Sequence, residues 1–276
     1  FNELRARGII ASTPGKGYYV NSTQVEREQK IFLMFDELNA FKERLYNAFT
    51  SAVAGKASVD TYFHYFNKRV FKNLLLENLN KYTTYILMPV FFNHIQPVVS
   101  QIDQANVYML DQFNPELAPY YPGIYQNFRK DMYQGLETAM DRLIHYNNLV
   151  LVHPGGKEPQ GMVEGFEQFC GDHHLPHQVI HTLQGYKIQQ GGLYIVVDDH
   201  DLVTLVKESR RKGLLLGKDM GIISYNDTPL KEVVAEGITT ISTDFEAMGK
   251  TLAHMVLHKQ KDQIENPASL IIRKSL

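Results

Sequence analysis

From Lys30 to the end of the chain, short apolar runs alternate with amphipathic stretches of helical period, and this alternation limits the possible folds most sharply. The apolar runs are 30–36 (KIFLMFD), 57–65, 84–90 (TYILMPV), 106–111 (NVYMLD), 122–126, 148–153 (NLVLVH), 176–182, 192–197 (GLYIVV), 220–225 (MGIISY) and 237–241. Many are β-branched or aromatic and apolar on both faces, as strands buried in a parallel sheet must be. Helical patterns fall between them at about 41–54, 67–81, 94–104, 130–146, 160–173, 200–212, 229–235 and 245–259. Alternation at this density predicts an α/β fold with helices on both faces of parallel sheets. Some ten strands are too many for one compact sheet, so two sheets, each a lobe, are expected.

Composition narrows the function classes. Hydrophobic residues make up 44% and charged residues 21%, an ordinary globular balance. No apolar run approaches the ~20 residues that span a bilayer, so no membrane partner is expected. A formal net charge of −2 argues against the whole chain clinging to DNA, and any such contact must be local. The single cysteine, Cys170, has no partner for an internal disulfide, which fits a reducing cytoplasm. The N-terminus is too charged for a signal peptide, and Phe1 begins in mid-pattern for a helix, so a longer protein is expected.

The first twenty residues stand apart. Phe1 and Leu4 lie one helical turn apart, and Gly8 suits the left-handed position that ends a helix. Ile9–Ala11 reads as a strand, Thr13–Gly17 as a tight turn and Tyr18–Val20 as the return strand. Residues 21–29 look like a linker.

Ligands of open parallel sheets collect outside the carboxyl ends of the strands. Asp36, Glu37, Asn39 and Phe41 follow the first strand, Phe91, Phe92 and Asn93 the third, and Asp111 and Gln112 the fourth. Gln126, Asn127 and Arg129 follow the fifth; Asp198 and Asp199 follow 192–197, and Asn226 and Asp227 follow 221–225. Carboxylates, amides, one arginine and aromatic rings together suit a neutral polyhydroxylated ligand. A carboxylate accepts from neighbouring hydroxyls, an amide donates and accepts, and arginine's fork donates twice. Other constellations are weaker. The histidines of Gly171–His177, with His181, match no zinc spacing, and a surface turn is expected there. His153-Pro154-Gly155-Gly156-Lys157 suits an anion at a helix N-terminus but lacks the full phosphate-loop pattern. No G-x-S-x-G, H-E-x-x-H or strand-following GxGxxG is present, so a receptor is expected rather than an enzyme, with no metal and no cofactor.

Two stretches resemble known families. Phe1-Asn2-Glu3-Leu4-Arg5-Ala6-Arg7-Gly8-Ile9-Ile10, followed by Pro14-Gly15-Lys16-Gly17-Tyr18-Tyr19-Val20, resembles the close of a GntR-type winged helix. There the recognition helix ends in L-x-x-x-G-(I/L)-(I/L) and the wing reads x-G-x-G-(T/Y)-(F/Y)-V. This resemblance implies that Arg5, Lys16 and Gly17 lie near DNA. The second stretch runs from Gly221-Ile-Ile-Ser-Tyr-Asn-Asp through Gly237-Ile-Thr-Thr-Ile241 to Asp244-Phe-Glu-Ala-Met-Gly249. It is similar to the effector domain of LacI-family regulators, with V-V-G-(F/Y)-D-D, L-T-T-I and D-x-x-x-(L/M)-G. Val196–Asp199, Val163–Phe166 and Asn39-Ala40-Phe41 resemble that family's N-D, R-x-x-G-F and N-P-F stretches. Three departures stand out: Asn226 replaces the family's sugar-binding aspartate, Met162 its usual arginine and Asp198 the asparagine of N-D. Arg129 is the expected substitute for the missing arginine.

These resemblances imply a periplasmic-binding-protein-like type I receptor behind the end of a winged helix-turn-helix. The expected division is residues 1–20, a linker at 21–29, and a receptor at 30–276. Lobe 1 would take about 30–123 and 244–262, lobe 2 about 124–241 and 266–276, with three crossovers between them. A GntR-type head on a LacI-type receptor is a known chimeric build that includes a repressor responding to arabinose. The expected effector is therefore a monosaccharide, a pentose such as arabinose or a deoxyhexose such as fucose. Asn39, Phe41 and Asp111 would contact it from lobe 1, and Gln126, Arg129, Asp198 and Asn226 from lobe 2. Closure in a homodimer would change the spacing of two DNA heads and so operator affinity. The alternative is a periplasmic-type sugar-binding protein for transport, which shares the lobes but not the winged-helix end.

Overall fold

The computed structural model describes residues 1, 5, 10–13, 17–20 and 29–276. Near the N-terminus, β1 (Ile10–Thr13) and β2 (Gly17–Val20) form an antiparallel hairpin, with Ile10 opposite Val20 and Thr13 opposite Gly17. Leu4, Gly8, Lys16 and residues 21–28 lie outside the described residues.

The first lobe opens with β3 (Gln29–Phe35), whose residues Ile31 to Phe35 are all fully buried. Helices cover both faces of this strand, so neither face tolerates a polar residue. The chain continues through α1 (Ala40–Val53), β4 (Ala57–Phe63), α2 (Lys68–Glu77), β5 (Thr84–Leu87), α3 (Gln96–Val99), β6 (Val107–Gln112) and β7 (Gly123–Gln126). The second lobe adds α4 (Phe128–Thr138), α5 (Met140–Leu143), β8 (Asn148–Val152), α6 (Gly161–Asp172), β9 (His177–Ile180), β10 (Gly192–Val196), α7 (Asp199–Lys212), β11 (Gly221–Tyr225), α8 (Pro229–Val233) and β12 (Thr239–Thr243). Then α9 (Phe245–Leu257) and β13 (Gln263–Glu265) return to the first lobe, and β14 (Ala268–Ile271) to the second.

The first sheet runs β13-β7-β6-β5-β3-β4 and is parallel throughout. The second runs β14-β12-β11-β10-β8-β9 and is parallel except where β14 meets β12. The architecture is therefore the α/β fold of two mostly parallel sheets that the alternation predicts. One boundary moves. Residues 124–126, expected in the second lobe, belong to β7 and pair with β6, so Gln126 rises from the first sheet. A four-residue apolar run carries no period that says which sheet it joins; pairing decides it.

The chain passes between the sheets after β7, after β12 and after β13. Asn266 lies on the last passage and is 2% exposed. Its amide nitrogen Nδ2 donates to Thr243 Oγ1 at 2.8 Å and to the Asp244 carbonyl at 2.9 Å, on the second passage. Its backbone N–H donates to the Tyr125 carbonyl at 2.8 Å, on the first. Nearby, Glu265 accepts from Asn127 Nδ2 at 2.9 Å and from Lys130 Nζ at 2.6 Å.

Two glycines set how closely helices approach. A Cβ on Gly249 of α9 would sit 2.4 Å from the Leu45 carbonyl of α1, and one on Gly165 of α6 only 2.2 Å from the Arg129 carbonyl of α4. Gly171, also in α6, faces open space. Gly249→Ala should therefore destabilise by about 1–3 kcal/mol through overpacking. Gly171→Ala should stabilise by up to about 1 kcal/mol through helix propensity alone. Urea denaturation of both variants checks this pair of opposite signs.

A second prediction concerns Asp131, in the first turn of α4 and 6% exposed, with Oδ2 lacking any partner. Burial above all, with Glu265 adding to it, pushes this carboxyl up from 3.8 to about 7. The folded state thus keeps a proton that the unfolded chain releases near pH 4. This group's stabilising contribution is complete below that pH and is lost as pH rises towards about 7. Asp131→Asn should gain on the parent protein across that interval, by up to a few kcal/mol, and hold a constant advantage above it. Urea midpoints of both proteins against pH measure the difference; a constant gap from pH 4 to 8 would contradict it.

Candidate functional site

The carboxyl ends of β3, β6, β7, β10 and β11 open onto one cavity of about 280 Å³ between the lobes. This is close to the lower end of small-molecule pockets, ~300–1,000 Å³, and suits a ligand of few heavy atoms.

Six of the seven expected contacts line it: Asn39, Phe41, Asp111, Gln126, Asp198 and Asn226. Asn39 caps α1, its Oδ1 accepting from the Lys42 backbone N–H at 3.1 Å. Phe41, one residue on, rests against Phe245 of α9 with ring centroids 4.9 Å apart. Asp111 is buried and accepts a short hydrogen bond from Gln126 Nε2. Burial raises its carboxyl pKa, partly offset by Lys42. Asp198 caps α7, accepting from the His200 N–H at 2.6 Å. Asn226 makes no side-chain cap: the N-cap of α8 is Thr228, and the Asn226 Oδ1 is buried without a partner.

Arg129 goes elsewhere. Its Nε and Nη2 donate to Gln168 Oε1 at 3.1 and 2.9 Å, on the exposed side of α4 and α6. The close seat of Gly165 on the Arg129 carbonyl holds this part of α4 against α6, so the guanidinium lies along the outer surface and does not line the cavity. Of the positions expected near DNA, Arg5 is exposed with its N–H on the Phe1 carbonyl at 2.9 Å, and Gly17 opens β2 at φ +82°. Lys16 is outside the described residues.

Of the cavity's three lysines the sequence singled out only Lys157, in the glycine turn read as a place for an anion. Lys42, 5% exposed in the first turn of α1, forms a close ion pair with Asp36. Lys231, 4% exposed, donates to the Tyr225 and Asn226 carbonyls at 2.9 and 2.8 Å and pairs with Asp199 at 3.0 Å. Burial lowers its pKa, against the pull of Asp199. Lys157, at the end of the Gly155-Gly156 turn, crosses the cleft. It donates to Glu37 Oε1 and Oε2 at 2.9 and 3.1 Å, 5.2 Å from the centre of the Phe66 ring. A lysine in a helix's first turn reads as solvated in sequence, and only its folded neighbours reveal its role; for Lys157 the opposing lobe supplies a carboxylate where the loop suggested an anion ligand.

Tyr225 was also missed. It is the last residue of β11, 1% exposed, and its hydroxyl has no partner. Apolar residues of a buried strand give no hint that the final one presents an oxygen to a cleft. Burial raises the Tyr225 pKa far above its ordinary value. Gln126 Oε1 is likewise buried and unpaired. Three polar atoms around one cavity, Gln126 Oε1, Tyr225 OH and Asn226 Oδ1, thus await a partner.

A family model described as a periplasmic binding protein-like domain matches residues 131–276. No curated protein matches the chain significantly. Among solved structures, the chain is similar to the trehalose repressor from Escherichia coli, at 15% identity and a TM-score of 0.75, covering 89% of this chain and 100% of that one. A LacI family transcriptional regulator from Silicibacter pomeroyi shares 13% identity at a TM-score of 0.74, over 90% and 98% of the two chains. A periplasmic binding protein/LacI transcriptional regulator from Alkaliphilus metalliredigens, complexed with D-xylulofuranose, shares 12% identity at a TM-score of 0.69, over 90% and 99%. The structural likeness is one of fold across nearly the whole chain. The matched segment, more than half of the sequence, holds every strand of the second sheet together with Asp198, Tyr225 and Asn226. The chain belongs to the periplasmic binding protein-like domain family.

Proposed function

We propose that this chain is the effector-binding part of a sugar-responsive, cytoplasmic transcription regulator, and that a monosaccharide binds in the cleft between the lobes. The observation that carries this reading is the set of unpaired buried atoms, Gln126 Oε1, Tyr225 OH and Asn226 Oδ1, on one cavity. Leaving such atoms unmatched costs about 1–3 kcal/mol each, and hydroxyls of a polyol match them. Phe41, Phe66 and Phe128 in the same walls supply faces for C–H groups. The relative complexed with D-xylulofuranose, a five-carbon sugar, supports a ligand of this size. Pentoses and deoxyhexoses such as arabinose or fucose remain the first ligands to test.

The division proposed is residues 1–20 as the end of a winged helix, 21–29 as a linker and 30–276 as the receptor. The β1–β2 hairpin with Gly17 at its turn supports the wing. Sugar-dependent closure of a homodimer would then alter the spacing of two DNA-binding heads, for which a coupling of about 1–3 kcal/mol suffices. Binding without catalysis fits the cleft, since its lysines are held in ion pairs.

Asn226 provides the test. Its backbone lies at φ +59°, so Asn226→Gly keeps the conformation while removing the amide. Titration calorimetry with the best sugar from a thermal-shift panel should show affinity lower by about 1–3 kcal/mol, with the melting temperature of the free protein little changed. Asn226→Asp should alter which sugar is preferred more than whether one binds. Unchanged affinity in Asn226→Gly would remove this residue from the site.

A further inference from the structure

We propose that the cleft selects a sugar in its uncharged form, so that the protein reads its ligand before a kinase or an oxidising step gives that ligand a negative charge. This rests on the monosaccharide reading above. Among the described residues, the cavity is lined by six carboxylates against three lysines and no arginine. Each lysine is engaged: Lys42 by Asp36, Lys157 by Glu37 and Lys231 by Asp199. Asp111, Glu158 and Asp198 have no lysine or arginine of their own. Burial raises the pKa of Asp111 and Glu158, which shows that these walls already resist negative charge. Of the helix N-termini that border the cavity, α1 is capped by Asn39, α4 by Asn127 and α7 by the carboxylate of Asp198, while α6 and the short α8 carry no side-chain cap. The three capped ends have their first N–H groups already taken, and the uncapped end of α6 is flanked by the Glu158 carboxylate, so neither kind favours an anion.

The unpaired atoms point the same way. Gln126 Oε1 and Asn226 Oδ1 are acceptors and need donors. A hydroxyl supplies one, whereas a phosphate dianion or a carboxylate brings only more acceptors into a field of like charge. The reaction that consumes the signal is then one that adds charge: phosphoryl transfer to a hydroxyl, or oxidation of the sugar to an acid.

Titration calorimetry of the full chain at fixed ionic strength tests this. The probes are L-arabinose, L-fucose, D-ribose and D-galactose, beside D-ribose 5-phosphate, D-galactose 6-phosphate and D-galacturonate. The expected result is that a neutral sugar binds and its anionic counterparts bind about 100-fold more weakly or worse. Asp111→Asn should narrow that gap by about tenfold. An anion binding as tightly as its neutral parent overturns the charge selection and leaves the monosaccharide site standing. Equal loss of neutral and anionic ligands in Asp111→Asn also overturns it. Failure of every sugar in every charge state overturns both readings.

Discussion

Three separate passages of chain join the lobes, and one buried side chain ties all three. The Asn266 amide satisfies Thr243 and Asp244 while its backbone holds Tyr125, so no passage shifts without breaking a hydrogen bond in the others. Such bonds are expensive to lose because the groups are far from water. The junction thereby confines relative lobe movement to a rotation about one small region. Everything that depends on the facing strand ends inherits its geometry from that restriction.

On either side of this junction the cleft is organised by ion pairs rather than by free charges. Lys42 and Lys231 are held within their own lobes, each by a carboxylate from a neighbouring strand end. Lys157 and Glu37 meet from opposite lobes. The Lys42–Asp36 pair is nearly closed to solvent; Lys231 is buried but its partner Asp199 is exposed, and the Lys157–Glu37 pair is partly exposed, so the last two are subject to salt. A pocket of this kind recognises ligand through hydrogen-bond donors and ring faces, with electrostatics deciding mainly what is kept out.

The architecture was legible because buried parallel strands announce themselves as apolar runs, and β3, β5, β8, β10 and β11 all do. Strand ends then pointed to ten of the cavity's residues, six of them among the seven expected contacts. What the sequence concealed was partnership across distance. Nothing local says that 124–126 joins the first sheet, that Arg129 is drawn to Gln168, or that Lys42 turns inward. Tyr225 escaped for the opposite reason, since it looks like one more apolar residue of its strand. The recognition residues carried by backbone direction were readable, and those defined by a contact from another element were not.

Asp111 and Asn226 share an unusual backbone, each ending its strand with positive φ, +75° and +59°. Few side chains tolerate that conformation; aspartate, asparagine and glycine do so most readily. At these two positions on the cavity wall, the chemical vocabulary is therefore nearly closed. Substitution there trades an acceptor for an amide, or either for a void, and little else. A descendant of this protein that came to prefer a bulkier or differently configured ligand would have to change through side chains on ordinary backbone, such as Met162, Phe128 or Phe66, leaving the two strand ends as a fixed frame around a variable wall.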